Sequence, residues 1–137
     1  MRLLNISVLC LGLMGCRQAS GHEGSEPDAL TLARGVEVYK EQGCGICHTL
    51  SRAGTGGVFG PPHDGVGDEA DLRVQDPTYH GGATTGEEYL KESVLDPTAY
   101  RVPGYERTRF AMPAYTGIPE QDLAALVAML AGDRRKK

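Results

Sequence analysis

The chain has 137 residues and a formal net charge of −4, and this length predicts a single domain with one modest core. Acidic residues outnumber basic ones by 17 to 9 between Cys16 and Gly132, and this acidic balance argues against nucleic acid as a partner. The chain contains no Trp, 2 Phe and 6 Tyr, so large apolar side chains are scarce for a domain that must bury a substantial surface.

The N-terminal residues 1–15 have the features of an export signal. Arg2 supplies a positive charge, and residues 3–14 are mostly apolar but too few to span a bilayer. The segment ends in LMGC at residues 13–16, which resembles a bacterial lipobox, where a lipid is attached to the Cys and cleavage precedes it. We therefore predict a lipoprotein signal peptide over residues 1–15 and a lipid anchor on Cys16. An ordinary signal peptide is the alternative, and both would export the chain.

Residues 16–28 are predicted to be a flexible tether. The stretch is polar, contains Gly and Ser, and has no hydrophobic period. A flexible coil of about 12 residues spans roughly 20 Å, so it would let the domain at 29–132 reach partners near a membrane. His22 lies in this stretch and is interpreted as a solvated residue, not as a metal ligand.

A first helix is predicted over residues 28–41, with Asp28 as its cap and Gly43 as its end. Its apolar face repeats at steps of four and three, at Leu32, Val36 and Tyr39. Gly35 in the middle of this helix costs stability relative to Ala. We therefore expect the backbone of another element, the last helix, to approach it closely.

The CGICH stretch at residues 44–48 is a motif for attachment of c-type haem. Cys44 and Cys47 have the spacing to bond the two vinyl positions of a porphyrin, and His48 can then ligate the iron. A haem would also supply the apolar bulk that the side chains lack. The alternatives are a redox dithiol, half of a zinc site or a disulfide. A thioredoxin-like dithiol should accompany a βαβ pattern and zinc needs two further ligands; neither is visible.

Residues 53–62 are predicted to form a loop because they contain several glycines and two adjacent prolines. Metal-bound histidines usually donate their second ring nitrogen to a fixed partner, and we expect the Pro61 carbonyl to accept this hydrogen bond from His48. Phe59 lies either against the haem or in the ordinary core. Residues 64–84 are acidic and rich in turn residues, and they are predicted to be a surface loop.

Two further helices are predicted in the second half of the chain. Thr85 and Glu88 form a capping box that opens a helix ending at Leu95. Pro119 suits the first position of the final helix. The apolar stripe of that helix consists of Leu123, Leu126, Val127 and Leu130. Residues 133–137 form a basic tail, either solvated or a docking handle for anionic lipid or protein.

Met112 is the candidate for the second axial ligand of the iron. Of four Met, two belong to residues 1–15 and Met129 sits in the final helix, whereas Met112 lies on an irregular stretch and is followed by Pro. A Met ligand raises the potential of haem iron. His63 and His80 lie in loops that contain Gly or Pro, and they remain alternative ligands.

These features together resemble the class I c-type cytochromes over residues 28–131. The matching features are CGICH, the GPP loop at 60–62, YLKESVLDP at 89–97, AMP at 111–113 and the closing helix. The resemblance implies an all-α fold, a small helical bundle wrapped around one covalently attached haem c. It also implies that the N- and C-terminal helices cross near Gly35 and Tyr39.

The resemblance extends to finer features and also has departures. The helix at 85–95 and the loop after it resemble cytochrome domains attached to respiratory oxidases and to other electron-transfer complexes. The family implies that residues such as Arg101 or Tyr105 meet the haem propionates. Two positions depart from the family: Met129 stands where an aromatic residue is common, and His63 stands where an apolar residue is common.

The sequence favours a monohaem electron carrier that is anchored to a bacterial membrane by lipid on Cys16 and faces the periplasm or the cell exterior. Its partners would be redox proteins, such as a respiratory reductase or oxidase, and no small-molecule substrate is expected. The main alternative is a haem enzyme or gas-binding protein with an open sixth coordination site. A dithiol or non-haem metal module is the third class.

Overall fold

The computed structural model describes residues 27–136. The predicted signal peptide at 1–15, the proposed lipidation site Cys16 and most of the tether, including His22, lie outside the described residues. Among residues 27–136, no helix combines the length and the apolarity that a membrane crossing requires.

The described chain is mainly helical, which confirms the predicted fold class. Its helices are α1 (Ala29–Glu41), α2 (Val66–Arg73), α3 (Gly86–Leu95) and α4 (Glu120–Ala131), and 3₁₀ turns cover Cys44–Ile46 and Ser51–Ala53. The strands β1 (Thr49–Leu50) and β2 (Thr55–Gly56) pair antiparallel, with Thr49 opposite Gly56 and Leu50 opposite Thr55. This ribbon closes the turn that follows the CGICH stretch.

Helix α1 begins and ends where the sequence predicts. The Asp28 side chain accepts a hydrogen bond from the Thr31 N–H at 2.7 Å, which satisfies one of the free donors of the first turn. Gln42 caps the C-terminus, and Gly43 follows in the left-handed region at φ +70°. The chain therefore turns sharply into the 3₁₀ turn at Cys44–Ile46.

Helices α1 and α4 cross at Gly35, as predicted. A Cβ built on Gly35 would overlap the Ala125 carbonyl oxygen and would lie 2.5 Å from Met129 Cβ, so only glycine fits this approach. Met129 is fully buried, as is Tyr39. The thioether of Met129 therefore packs the crossing where the family commonly has an aromatic ring.

Helices α3 and α4 carry the predicted caps and stripe with one small difference. Thr85 and Glu88 make both bonds of the capping box. Pro119 is the N-cap of α4 and the helix begins at Glu120, one residue later than predicted. The predicted α4 stripe is buried at all four positions, Leu123, Leu126, Val127 and Leu130.

The prediction that residues 64–84 form only a surface loop is wrong, because α2 occupies part of this range. Four glycines and several acidic residues give this stretch a weak helical propensity. The helix is stabilised instead by packing: Val66 and Ala70 are buried in the core. Asp68 and Glu69 also stand in the first turn, where negative charge is favourable.

The C-terminal residues 133–135 pack against α2 and are not a free extension. The Gly67 N–H donates to the Asp133 carbonyl at 3.0 Å. Arg134 pairs with Asp68 at 3.3 Å, and Arg135 pairs with Glu69 at 2.6 Å on the same helix. The basic side chains are thus partly neutralised by the domain itself, which differs from the expected solvated tail.

Candidate functional site

A cavity opens between the CGICH turn, α3, α4 and the irregular stretch before α4. It contains about 1130 Å³ of space, including the part open to solvent, and its lining is mainly apolar and aromatic. Cys44, Cys47, His48, Pro61 and Met112 all line it. The structure therefore brings every predicted haem-site residue to one cavity.

The CGICH stretch faces the cavity because the chain coils tightly there. The N–H groups of Cys47 and His48 both donate to the Cys44 carbonyl, at 3.2 and 3.0 Å. Cys44 and Cys47 are free thiols, and burial raises the pKa of the Cys44 thiol to about 11. A thiol that stays protonated near neutral pH is a poor nucleophile, so Cys44 is not an activated thiol.

His48 is buried, with 6 % of its surface exposed. Its Nδ1 lies 2.7 Å from the Pro61 carbonyl oxygen. A carbonyl oxygen only accepts hydrogen bonds, so Nδ1 carries the proton and Nε2 is the nitrogen with a free lone pair. The ring is thereby prepared to ligate a metal through Nε2.

Gly60 makes this arrangement sterically possible. A Cβ at this position would overlap His48 Cε1 and would lie 2.8 Å from Nδ1. The backbone before Pro61 therefore approaches the ring so closely that no side chain fits between them.

The environment also keeps the His48 ring neutral. Burial lowers its pKa below the ordinary value and the positive charge of Arg73 acts in the same direction, whereas the hydrogen bond to Pro61 opposes the shift. The neutral imidazole is the form that ligates metals.

His63 lies beside His48 and not across the cavity from it. The two rings are stacked, with centroids 3.9 Å apart and planes 14° apart. Imidazoles that ligate one iron from opposite faces lie end to end with the metal between their nitrogens, so a face-to-face stack does not suit that role. This placement removes the support for His63 as the second axial ligand.

Met112 and His80 are placed differently. Met112 is partly buried and lines the cavity, whereas His80 is exposed and is absent from the cavity lining. The stretch that carries Met112 is fixed on both sides: the Thr108 hydroxyl donates to the Phe59 carbonyl at 3.1 Å, and the Tyr115 N–H donates to the Val94 carbonyl at 3.0 Å.

Phe59 lies at the rim of the cavity. Its ring packs edge-to-face on Phe110, with centroids 4.9 Å apart, and 46 % of its surface is exposed. Of the two predicted roles, a place in the ordinary core is wrong. Phe59 instead links the loop at 53–62 to the Met112 stretch.

Several cationic and phenolic side chains line the cavity, and we consider three of them as groups that could meet acidic groups of a ligand. Arg101 and Tyr105, which the family resemblance suggests for this role, are both in the lining. The sequence did not point to the third, Arg73, whose guanidinium carbon lies 5.7 Å from the Tyr89 ring centroid. The spacing of Val66, Ala70 and Val74 at steps of four is the signal that could have predicted α2, and with it Arg73.

The residues of the cavity fit a covalently bound haem. Two thiols, one imidazole with a single free nitrogen and a mainly apolar lining are the groups that a porphyrin and its iron require. The other interpretations find little support. Strands β1 and β2 are short and antiparallel, unlike a βαβ unit. Within the part of the chain that the structure describes, no cluster of three or more His, Cys, Asp or Glu could hold a metal ion.

Comparison with known proteins agrees with this geometry. The family model described as cytochrome c matches residues 32–132, a range that contains the CGICH turn, Pro61, Met112 and all of α2 to α4. No curated protein matches the chain. The matched range covers most of the chain, and the chain therefore belongs to the cytochrome c family, whose members bind haem c covalently and transfer electrons to and from redox partner proteins.

Proposed function

We propose that this cytochrome is a class I monohaem electron carrier in which His48 and Met112 are the two axial ligands of the iron. The observation that carries the proposal is the convergence of Cys44, Cys47, His48 and Met112 on one cavity. When bound, the haem supplies reversible one-electron chemistry at its iron.

The protein's own residues would hold the iron site in a fixed geometry. Pro61 orients the His48 ring through the bond to Nδ1. Met112 stands between two anchored points, Thr108 and Tyr115, which favours a thioether held at a constant position in both oxidation states. A carrier with two fixed ligands exchanges electrons without binding a substrate at the metal, which distinguishes it from an enzyme with an open site.

We also propose the cellular setting. Lipid on Cys16 would anchor the chain to a bacterial membrane, after removal of residues 1–15, and residues 16–28 would let the domain reach its partners. The domain would face the periplasm or the cell exterior and would carry single electrons between respiratory partners such as a reductase and an oxidase. The lipobox-like LMGC at 13–16 supports this setting.

The test of axial ligation is Met112→Ala, with Met129→Leu as the matched control. Without the thioether, the oxidised protein should lose its Met–iron charge-transfer band, shift toward high spin and bind cyanide or azide readily, and its potential should fall because Met ligation raises it. Met129→Leu keeps volume and apolarity at a buried position, and it should cost less than about 1.5 kcal/mol with an unchanged spectrum.

An unchanged spectrum in Met112→Ala would contradict the ligand assignment. Rapid cyanide binding by the unmodified protein would favour the open-site enzyme or gas-binding protein instead. Optical titration of the oxidised proteins with cyanide measures both outcomes.

A further inference from the structure

The ring of His63 contacts both Tyr39, a buried residue of α1, and His48, the candidate iron ligand. Its ring stacks on His48 at 3.9 Å, and its Nδ1 lies 3.2 Å from the Tyr39 hydroxyl. The backbone N–H of His63 donates to the Thr49 carbonyl at 2.7 Å. Tyr39 is fully buried in α1, so the ring of His63 is held by a rigid helix, while its backbone is held by β1.

The stack restrains a motion of His48 that the Pro61 hydrogen bond leaves free. A single bond from Nδ1 fixes the direction of that nitrogen, but the ring plane can still rock about the line between Nδ1 and the carbonyl oxygen. The flat face of His63 lies nearly parallel to the His48 ring, at an interplanar angle of 14°. Rocking in one direction would therefore drive the two rings into each other.

We propose that His63 is a positioning residue that holds the plane of the His48 imidazole, and that the Tyr39 hydroxyl holds His63 in turn. The proposal rests on the proposed function, in which His48 ligates the iron. The plane of an axial imidazole selects the iron orbitals that it overlaps, so its orientation determines the g-values of a low-spin ferric centre. A polar ring against the ligand also favours the more highly charged ferric state relative to an apolar neighbour.

The test compares three variants of the haem-loaded protein by electron paramagnetic resonance and by redox titration. His63→Leu removes the flat ring and its nitrogens, His63→Phe keeps a flat ring without nitrogens, and Tyr39→Phe removes only the hydroxyl. We expect His63→Leu to shift and broaden the g-values and to raise the potential. His63→Phe should keep g-values near those of the unmodified protein but should also raise the potential.

Coupling between the two supporting residues is measured by a double variant. The Tyr39 hydroxyl also donates to the His48 carbonyl oxygen at 3.4 Å, and the double variant separates this backbone contact from the contact with His63. Tyr39→Phe should broaden the g-values in the unmodified background and should have little further effect when combined with His63→Leu, which is the result expected if the hydroxyl acts through His63. A residue that only stabilised the fold would change the denaturation midpoint and leave the g-values and the potential unchanged.

Covalent haem with unchanged g-values and potential in His63→Leu would overturn the proposal. An equal g-value shift in His63→Phe and His63→Leu would also overturn it, because the flat ring would then have no role. Failure of the proposed function is recognised separately: the unmodified oxidised protein would then lack the low-spin signal of a six-coordinate iron before any variant was made.

Discussion

His48 has three neighbours of different chemistry, and each restrains it differently. The Pro61 carbonyl fixes the proton on Nδ1, the Gly60 backbone closes in on the ring, and His63 stacks on it. Only the first of these follows from a general rule about metal-bound histidines, and it was predicted from the sequence. The stack could not be predicted, because it depends on where the loop at 53–62 returns across the CGICH turn.

Glu88 is one of the carboxyls through which the stability of the fold depends on pH. Hydrogen bonds, chiefly from Thr84, hold the pKa of the Glu88 carboxyl below its ordinary value. A carboxyl with a lowered folded-state pKa stabilises the fold at pH values above its unfolded pKa, and this stabilisation is lost as the pH falls through the folded pKa. Glu88→Gln should therefore be less stable than the unmodified protein near pH 7, and the difference should vanish in acid.

Denaturant unfolding of both proteins at a series of pH values measures this difference. Glu87→Gln is the control, because Glu87 shares the first turn of α3 but makes none of the capping-box bonds. A stability difference for Glu88→Gln that is the same at pH 3 and pH 7 would contradict the assignment.

At the scale of elements, local signals predicted three of the four helices. Asp28, Thr85 and Pro119 each mark a helix start, and the apolar periods of α1, α3 and α4 agree with their buried faces. Helix α2 was missed because its own residues favour turns, and its support comes from α3, α4 and the C-terminal arginines. Arg73, which lies on it, was missed for the same reason.

The crossing of α1 and α4 predicts a specific cost for Gly35→Ala. Alanine is the better helix former by about 1 kcal/mol, but its methyl group would meet a carbonyl oxygen and the Cβ of Met129, neither of which can turn aside. Overpacking of this kind typically costs about 1–3 kcal/mol. Because neither neighbour can move aside, we expect the upper part of this range, which after subtraction of the gain in helix propensity leaves a net loss of about 1–2 kcal/mol in the free energy of unfolding.

Gly117→Ala is the matched control, since a Cβ at Gly117 meets no atom within 4 Å. It should change the free energy of unfolding by less than about 0.5 kcal/mol. Denaturant unfolding of the haem-loaded proteins measures both free energies. Equal stability of the two variants would contradict the prediction, because α1 and α4 would then tolerate a wider separation at the crossing.

At the scale of the whole molecule, the shortage of large apolar side chains explains the wide cavity, because a bound apolar group must supply the volume that the side chains do not fill. The aliphatic and aromatic residues that are present gather in α1, α3 and α4, and the space between them and the loops is left for a bulky apolar group. The CGICH motif allowed this group to be predicted from five residues. The choice of Met112 over His63 and His80 gained support only when their places relative to the cavity were known.

The proposed anchor predicts where the protein resides. Cys16→Ser removes the thiol that would carry the lipid, and the variant should no longer be lipidated. Two acyl chains hold a protein at a membrane stably, whereas one binds only marginally. In a lipoprotein-competent bacterium, the unmodified protein should therefore fractionate with membranes and its N-terminal peptide should gain the mass of the lipid. Recovery of the unmodified protein as a soluble form without this mass would contradict the anchor.

The covalent attachment of one haem at Cys44 and Cys47 is the central claim, and mass spectrometry of the tryptic peptide at residues 41–52 tests it most directly. This peptide contains both cysteines and His48. From a host that attaches haem, it should carry the mass of one haem after extraction with acid and solvent, and the Cys44→Ser, Cys47→Ser double variant should carry none. A peptide of unmodified mass from the pigmented wild-type protein, or pigment that survives extraction in the double variant, would contradict the account.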